Sequence, residues 1–435
     1  MTWTPRRRTA RWGAAIAAVS MTAALAACGG SSGSPAAAGD PSNVEGVDDG
    51  TTLTLWTRAP LEAQAKLLVD AYNSSHENQV ELTVVPNDDY VAKVGAAAGS
   101  DDLPDLFAAD VVYLPNWTSQ GLFTDLTERI DNLDYADQIN SSVLDAGTYE
   151  DKQYVLPFVL DLSVMFYNKD LYREAGLDPE EGPTTLTEFR DQALAIQALN
   201  KPDTYGTYFG GNCGGCGVFT WFPMMWASGE QVLEDDGTTA NLASDTAQQV
   251  YGIWRDLQDA GAIAPGAADE TGATWTAAFQ QGQIGVMPYP ATLLQTADQT
   301  VDVGVSAIPG VDGGESTFVG GDGIGISKDS EHPDQAWNFQ QWLMSEAAQV
   351  DVLAKNNVTP ARADFLDNQY ATDPRVQLIN QVSAAPDSQT PIALNFQQAF
   401  NAVGSPWSTL FRAQVFGDAS DLDEDNDAIT QVLQQ

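Results

Sequence analysis

The sequence predicts an α/β protein of at least two lobes. Three observations carry this: the length, the apolar content, and a sustained alternation of strand-like and helix-like segments. The chain has 435 residues, and one core rarely grows past roughly 250–300 residues. Hydrophobic residues make up 43%, enough for packed cores, so wholesale disorder is excluded.

Taken in order, Leu53-Thr54-Leu55-Trp56 reads as a first strand. Pro60 opens a helix whose Leu61, Ala65, Leu68 and Tyr72 form one apolar stripe. Val80 to Val85 alternates as a strand, Asp89 to Ala98 is helical, and Asp105 to Ala109 is strand-like again. Such alternation predicts a largely parallel sheet. Thr185-x-x-Glu188 is a capping box opening a helix to about Leu199. Pro333 starts another, with Ala336, Phe339 and Leu343 on one face. From about Asp373 the chain reads as mostly helical, and no internal repeat is visible.

The N-terminus carries an export signal. Arg6, Arg7, Arg8 and Arg11 precede an apolar run from Trp12 to Ala24, then Leu25-Ala26-Ala27-Cys28. The run is too short for a comfortable membrane span and ends in small residues, as a secretory signal does. Leu-Ala-Ala-Cys also resembles the bacterial lipobox, which implies lipidation of Cys28 as the first mature residue. Three consecutive arginines hint at twin-arginine export. Residues 28–50, rich in Gly, Ser, Ala, Pro and Asp, read as a flexible tether.

Charge and residue usage narrow the function. Sixty acidic against 19 basic side chains give a formal net charge of −41, which repels phosphate backbones and excludes nucleic acid as a partner. With two histidines, chemistry needing a histidine-rich metal site is excluded. Asp421, Asp423, Asp425 and Asp427 alternate as in a calcium loop, but Asn426 and Val432 stand where Gly and Glu belong. An acidic first turn of a C-terminal helix accounts for them. Gly29-Gly30-Ser31-Ser32-Gly33 matches a hydrolase elbow without the flanking strand and helix.

Cys213-Gly214-Gly215-Cys216 leaves two readings open, a disulfide favoured outside the cell and a pair of free thiols. Zinc would need a second ligand pair. Aromatic residues are the most informative: Trp56, Tyr90, Tyr113, Trp117, Trp221, Trp226, Trp275, Tyr289 and Trp407, many of them at element ends or in loops. Core filling accounts for any one of them. A cleft lined by several, with a few carboxylates, suits neutral sugars, whose C–H faces stack on rings while hydroxyls donate to carboxylates.

The order of segments resembles the extracellular carbohydrate-binding proteins of ABC importers, the family of maltose-binding protein. The landmarks are Leu53-Thr54-Leu55-Trp56, Gly99-x-x-x-x-Pro104-Asp105 and Gln120-Gly121-Leu122-Phe123-x-Asp125-Leu126-Thr127. Leu156-Pro157-Phe158, Phe166-Tyr167-Asn168-Lys169-Asp170-Leu171-Tyr172, Ala175-Gly176-Leu177-Asp178 and Pro183-Thr184-Thr185-Leu186-Thr187-Glu188-Phe189 follow. Ala278-Phe279-x-x-Gly282 and Phe318-Val319-Gly320-Gly321-x-Gly323-Ile324-Gly325-Ile326-Ser327-Lys328 complete the set.

The resemblance implies a two-lobe periplasmic-binding-protein-like fold with a hinge and an interlobe ligand cleft. It places residues 51–157 with 310–350 in lobe 1 and 158–309 with 351–435 in lobe 2. The crossings are expected at Pro157–Ser163 and Val303–Pro309. It implies no cofactor and no catalysis; a monomer is expected, and the lipobox at Cys28 implies its anchoring on the extracellular face of the bacterial membrane. There it captures a sugar or oligosaccharide for ABC permease subunits. Another solute (a polyol, an amino sugar, a peptide) is the alternative, followed by a secreted glycosidase. The ligand contacts it implies are Trp56 and Arg58, Asp110, Asp161, Phe219 or Trp221, Gly321 with Asp322, and Phe396. Where the family usually has Gly-x-Trp after Gly282, this chain has Met287-Pro288-Tyr289-Pro290, so Tyr289 is expected to substitute.

Overall fold

The computed structural model describes residues 45–234 and 236–435. Cys28, the signal segment 1–27 and the tether to residue 44 lie outside the described residues. The main sheet has seven strands: β1 (Thr52–Arg58), β2 (Gln79–Val85), β3 (Leu106–Asp110), β4 (Val155–Asn168), β5 (Val286–Pro290), β6 (Val303–Ser306) and β7 (Val319–Ile326). The order is β2-β1-β3-β7-β4-β5, with β6 also on β4. β1 is parallel to β2 and β3, but β7 runs antiparallel to β3 and β4, and β4 antiparallel to β5 and β6. The expected largely parallel sheet therefore holds only for β1–β3: β4 and β7 carry the chain between lobes rather than through strand–helix–strand units.

One strand builds both lobes. β4 is 14 residues long and buried almost throughout. Its first half, Val155–Leu162, pairs with β7; from Ser163 it pairs with β5 and β6 instead. The lobe boundary on this strand therefore falls between Leu162 and Ser163. The return crossing differs from expectation. Val303–Ser306 pairs with Met165–Asn168 in lobe 2, and Val311 N–H still donates to Ser228 Oγ there. The chain enters the lobe 1 sheet only at Val319, opposite Leu162.

The expected boundary at 351 shifts as well. Ala361 N–H donates to Gln349 Oε1, and the Arg362 guanidinium donates to Met344 O and lies over Tyr135, all in lobe 1. Pro374–Ser383 is the helix that packs on β6 and β4. The tether also ends earlier than residue 50: Val47 N–H donates to Asp334 O, and the Asn78 carboxamide oxygen accepts from Asp49, Gly50 and Thr51 N–H.

The helices follow their sequence signals. α1 (Glu62–Ser75) buries Ala65, Leu68, Val69 and Tyr72. α2 (Asn87–Ala98) follows β2. α3 (Leu186–Gln197) is capped by Thr185, whose hydroxyl accepts from Glu188 N–H, while the Glu188 carboxylate accepts from Thr184 rather than Thr185. α4 (Gly214–Ala227) is almost wholly buried. α5 (Pro333–Leu343) packs Ala336, Phe339 and Leu343 inward. α6 (Leu422–Leu433) opens on Asp423, Glu424 and Asp425, where the helix dipole favours acids.

Candidate functional site

The strand ends meet where the lobes meet, the usual place for ligands in α/β sheets. Asp110 ends β3 and stands directly opposite Asp322 on β7. Asp161 on β4 stands opposite Gly320. Like charges facing each other across strands are unfavourable unless a cation intervenes. Arg58, the last residue of β1, is that cation. Its Nε and Nη2 donate to Asp322 Oδ1 at 2.8 and 2.5 Å, and Nη2 lies 3.0 Å from Asp110 Oδ2. Nη1 donates to Asn87 Oδ1 at 3.4 Å.

Burial sets the protonation of this cluster. It pushes the Asp161 carboxyl up to about 7, with Arg58 opposing and Asp110 and Asp322 adding. It likewise pushes Asp322 up to about 6 against the pull of Arg58. Burial works against the charge of Arg58, but Asp110 and Asp322 outweigh it and its pKa rises. Asp161 Oδ1 and Asp322 Oδ2 are buried without a hydrogen-bond partner. A carboxylate oxygen left so is costly unless it is protonated or meets a donor.

A cavity of about 590 Å³ opens over the cluster, within the range of small-ligand sites. Lobe 1 contributes Arg58, Gln64, Asn87 and Asp110; lobe 2 contributes Phe219, Tyr289 and Trp275. Phe219 comes from the second turn of α4, with its ring 5.0 Å from that of Phe318. Tyr289 meets Trp275 edge to face at 4.5 Å. Burial, then Asp161 and Glu270, push the Tyr289 phenol up to about 12, so it stays protonated and can donate. Gly321 has φ +97°, and a Cβ there would lie 2.0 Å from Val159 O, so the strand crossing requires glycine.

Cys213 and Cys216 form a disulfide at the start of α4, and Cys216 faces the cavity. Gly272, at φ +95°, packs on it; a Cβ there would lie 3.0 Å from Cys216 Sγ. Glu270 holds the Gly272 loop, accepting from Gly272 N–H at 2.7 Å, from Thr274 N–H and hydroxyl, and from the Tyr208 hydroxyl.

Of the residues singled out from sequence, Arg58, Asp110, Asp161, Phe219, Tyr289 and Gly321 line the cavity together. Four lie elsewhere. Trp221 is 1% exposed and stacks on Tyr251 at 4.7 Å. Residues two apart on a helix face opposite sides, so Phe219 and Trp221 could not both reach the cleft. Phe396 is fully buried against Phe400 and Phe222. Trp56 lies under Lys93, whose Nζ sits 4.2 Å from the ring centroid. Asp322 is buried behind Arg58 and positions it. Trp275, Gln64, Asn87 and the Thr271–Gly272 loop are cavity residues that sequence reasoning did not assign. Only Trp275 had a signal, as a tryptophan at an element end.

Residues 57–350 match the family model of the bacterial extracellular solute-binding protein. The chain belongs to that family. Among relatives of this solute-binding protein, the diacetylchitobiose binding protein DasA of Streptomyces coelicolor is 25% identical over 371 residues, 82% of this chain and 83% of that one. Two solved structures share the fold. The sugar-binding protein MalE from Xanthomonas citri superposes with a TM-score of 0.75 at 20% identity, over 88% of this chain and 98% of that one. The cyclic α-maltosyl-1,6-maltose binding protein from Arthrobacter globiformis gives 0.74 at 24%, over 88% and 98%. Among the described residues of the solute-binding protein, no helix is long and apolar enough to cross a membrane.

Proposed function

We propose that this solute-binding protein captures a sugar or short oligosaccharide in the interlobe cleft and delivers it to ABC permease subunits, binding without turnover. One observation carries this: a cavity joining both lobes is lined by Asp161, whose carboxyl keeps an unpartnered buried oxygen, and by the rings of Phe219, Tyr289 and Trp275. Rings offer stacking surface to a pyranose, and the carboxylate accepts from its hydroxyls. Arg58, Asn87 and Gln64 add polar contacts from lobe 1. The relatives named above bind sugars by their descriptions, which supports the class. Lipidation at Cys28 tethers the mature monomer to the extracellular face of the membrane.

A panel of mono- and oligosaccharides read by thermal shift tests the binding, since ligand held by the folded state raises the melting temperature. Ligand recovered unchanged supports binding without turnover, and a hydrolysis product refutes it. Intact mass of the membrane-associated protein should show a mature N-terminus at Cys28 carrying acyl mass. A different start, or no acyl mass, refutes the anchor.

A further inference from the structure

The cleft is short of positive charge. Among the described residues lining the cavity, Arg58 is the one cation, and its guanidinium is already committed to Asp322, Asp110 and Asn87. Three carboxyl groups, Asp110, Asp161 and Asp322, thus share a single cation. None of the Arg58 hydrogen bonds reaches Asp161, and Asp161 Oδ1 has no partner although it is buried in the cavity wall. The fully buried Asp322 also leaves Oδ2 unpartnered, but behind Arg58 and outside the cavity lining, so Asp161 is the carboxyl a ligand can meet. Ionised, the Asp161 carboxylate can only accept, so a ligand that draws it into that form must donate.

Among the described residues lining the cavity, lobe 2 supplies no cation either; Arg412, beside the Glu270 loop, donates to Gly211 O and Ala268 O, pairs with Asp269 and is not in the lining. Tyr289 on β5 is neutral, and Glu270 behind it is acidic and already bonded by Tyr208, Gly272 and Thr274. Tyr113, beside Asp110, is held protonated by burial and by that carboxylate. The rings of Phe219, Tyr289 and Trp275 add negative π faces that attract a cation.

We infer that the ligand carries a protonated amino group seated against Asp161, an amino sugar or amino-substituted oligosaccharide rather than a neutral or acidic one. An ammonium offers several donors and supplies the missing positive charge; a sugar acid or phosphate would add to the repulsion. The inference rests on the sugar-binding reading and narrows it.

Calorimetric titration at pH 6.5 with matched pairs tests it: glucose against glucosamine, cellobiose against chitobiose, trehalose against trehalosamine. In at least one pair the amino member should bind at least about tenfold tighter. Its binding should also release a proton, read by repeating the titration in buffers of different ionisation enthalpy. The cause is that burial pushes Asp161 up to about 7, so the empty cleft holds a proton there that an ammonium displaces. Asp161→Asn should shrink the ratio between the paired ligands toward one, and Asp110→Asn should reduce it partway. Neutral members binding as tightly as their amino partners overturns the inference and leaves the sugar reading standing. A ratio unchanged in both variants overturns the placement at Asp161. Binding by no member of any pair overturns both readings.

Discussion

Ser163 and Thr317 tie the two crossing segments together at the lobe boundary. Ser163 N–H donates to Thr317 Oγ1 at 2.9 Å, the threonine hydroxyl donates back to Ser163 O at 2.8 Å, and Phe318 N–H donates to Ser163 Oγ at 2.9 Å. All these groups are buried, so the hinge is held by side chains standing in for backbone partners. Ser163 is the residue at which β4 changes partners from β7 to β5. Thr317→Val keeps the shape and strands Ser163 N–H. Its expected cost is about 1–3 kcal/mol of unfolding free energy, checked by chemical denaturation.

Arg58 offsets two facing carboxylates, so its loss should cost more than the loss of either acid. Arg58→Ala is expected to destabilise the protein by about 3–5 kcal/mol near neutral pH, because Asp322 is left buried and unpaired. The penalty should shrink as pH falls below about 6, where that carboxyl takes up its proton. Denaturation curves at pH 5 and pH 8 measure the difference, and an equal loss at both would refute the account.

Stability should vary with pH through the same cluster. Asp161 and Asp322 are pushed up to about 7 and about 6 by burial. A carboxyl whose pKa is raised on folding binds its proton more tightly in the folded state. Its contribution is complete below the ordinary carboxylate pKa of about 3.9 and is lost as pH rises through the raised value. The apo protein should therefore lose this contribution between about pH 4 and pH 7. Asp161→Asn should flatten that limb, so the variant's melting temperature gains on the wild type as pH rises. Parallel melting curves across the range contradict it.

Cavity and core aromatics should fail differently. Tyr289→Ala removes a cleft wall and is expected to weaken ligand binding by about 1–3 kcal/mol, mainly through the lost contact. Trp221→Ala empties a core site against Tyr251 and should cost about 3–5 kcal/mol of stability with or without ligand. Apo melting curves beside calorimetric titrations separate the two.

The Cys213–Cys216 disulfide should matter locally. It closes a ring of few residues, so the unfolded chain loses little entropy and reduction should move the melting temperature only slightly. It also packs against Gly272 in the cavity wall, so reduction should weaken ligand binding. Intact mass should rise by about 2 Da on reduction, one hydrogen per sulfur. Unchanged affinity in the fully reduced protein contradicts the local role.

Much of the site was legible because it lies at strand ends. Arg58, Asp110 and Asp161 follow or sit within extended segments that the apolar pattern marks, and each reaches the cavity. Helical and loop contributors were harder to read. α4 is apolar all round, so periodicity assigns no face, and only packing decided that Phe219 faces the cleft while Trp221 faces Tyr251. Thr271 and Gly272 enter the wall because Glu270 gathers their loop, and a lone acidic residue carries no such signal in sequence.

The sequence by itself determined the α/β alternation, the helix starts at Thr185 and Pro333, the turn at Pro60 that leads into α1, and the acidic first turn of the last helix. These rest on local preferences: apolar spacing, capping side chains, and charge at a helix end. Tertiary structure alone decided where the chain crosses between lobes and which carboxylates share Arg58. Both depend on register. Asp110 faces Asp322 because β3 and β7 pair antiparallel across more than 200 residues of chain, and a one-residue slip would turn those side chains to the other face of the sheet.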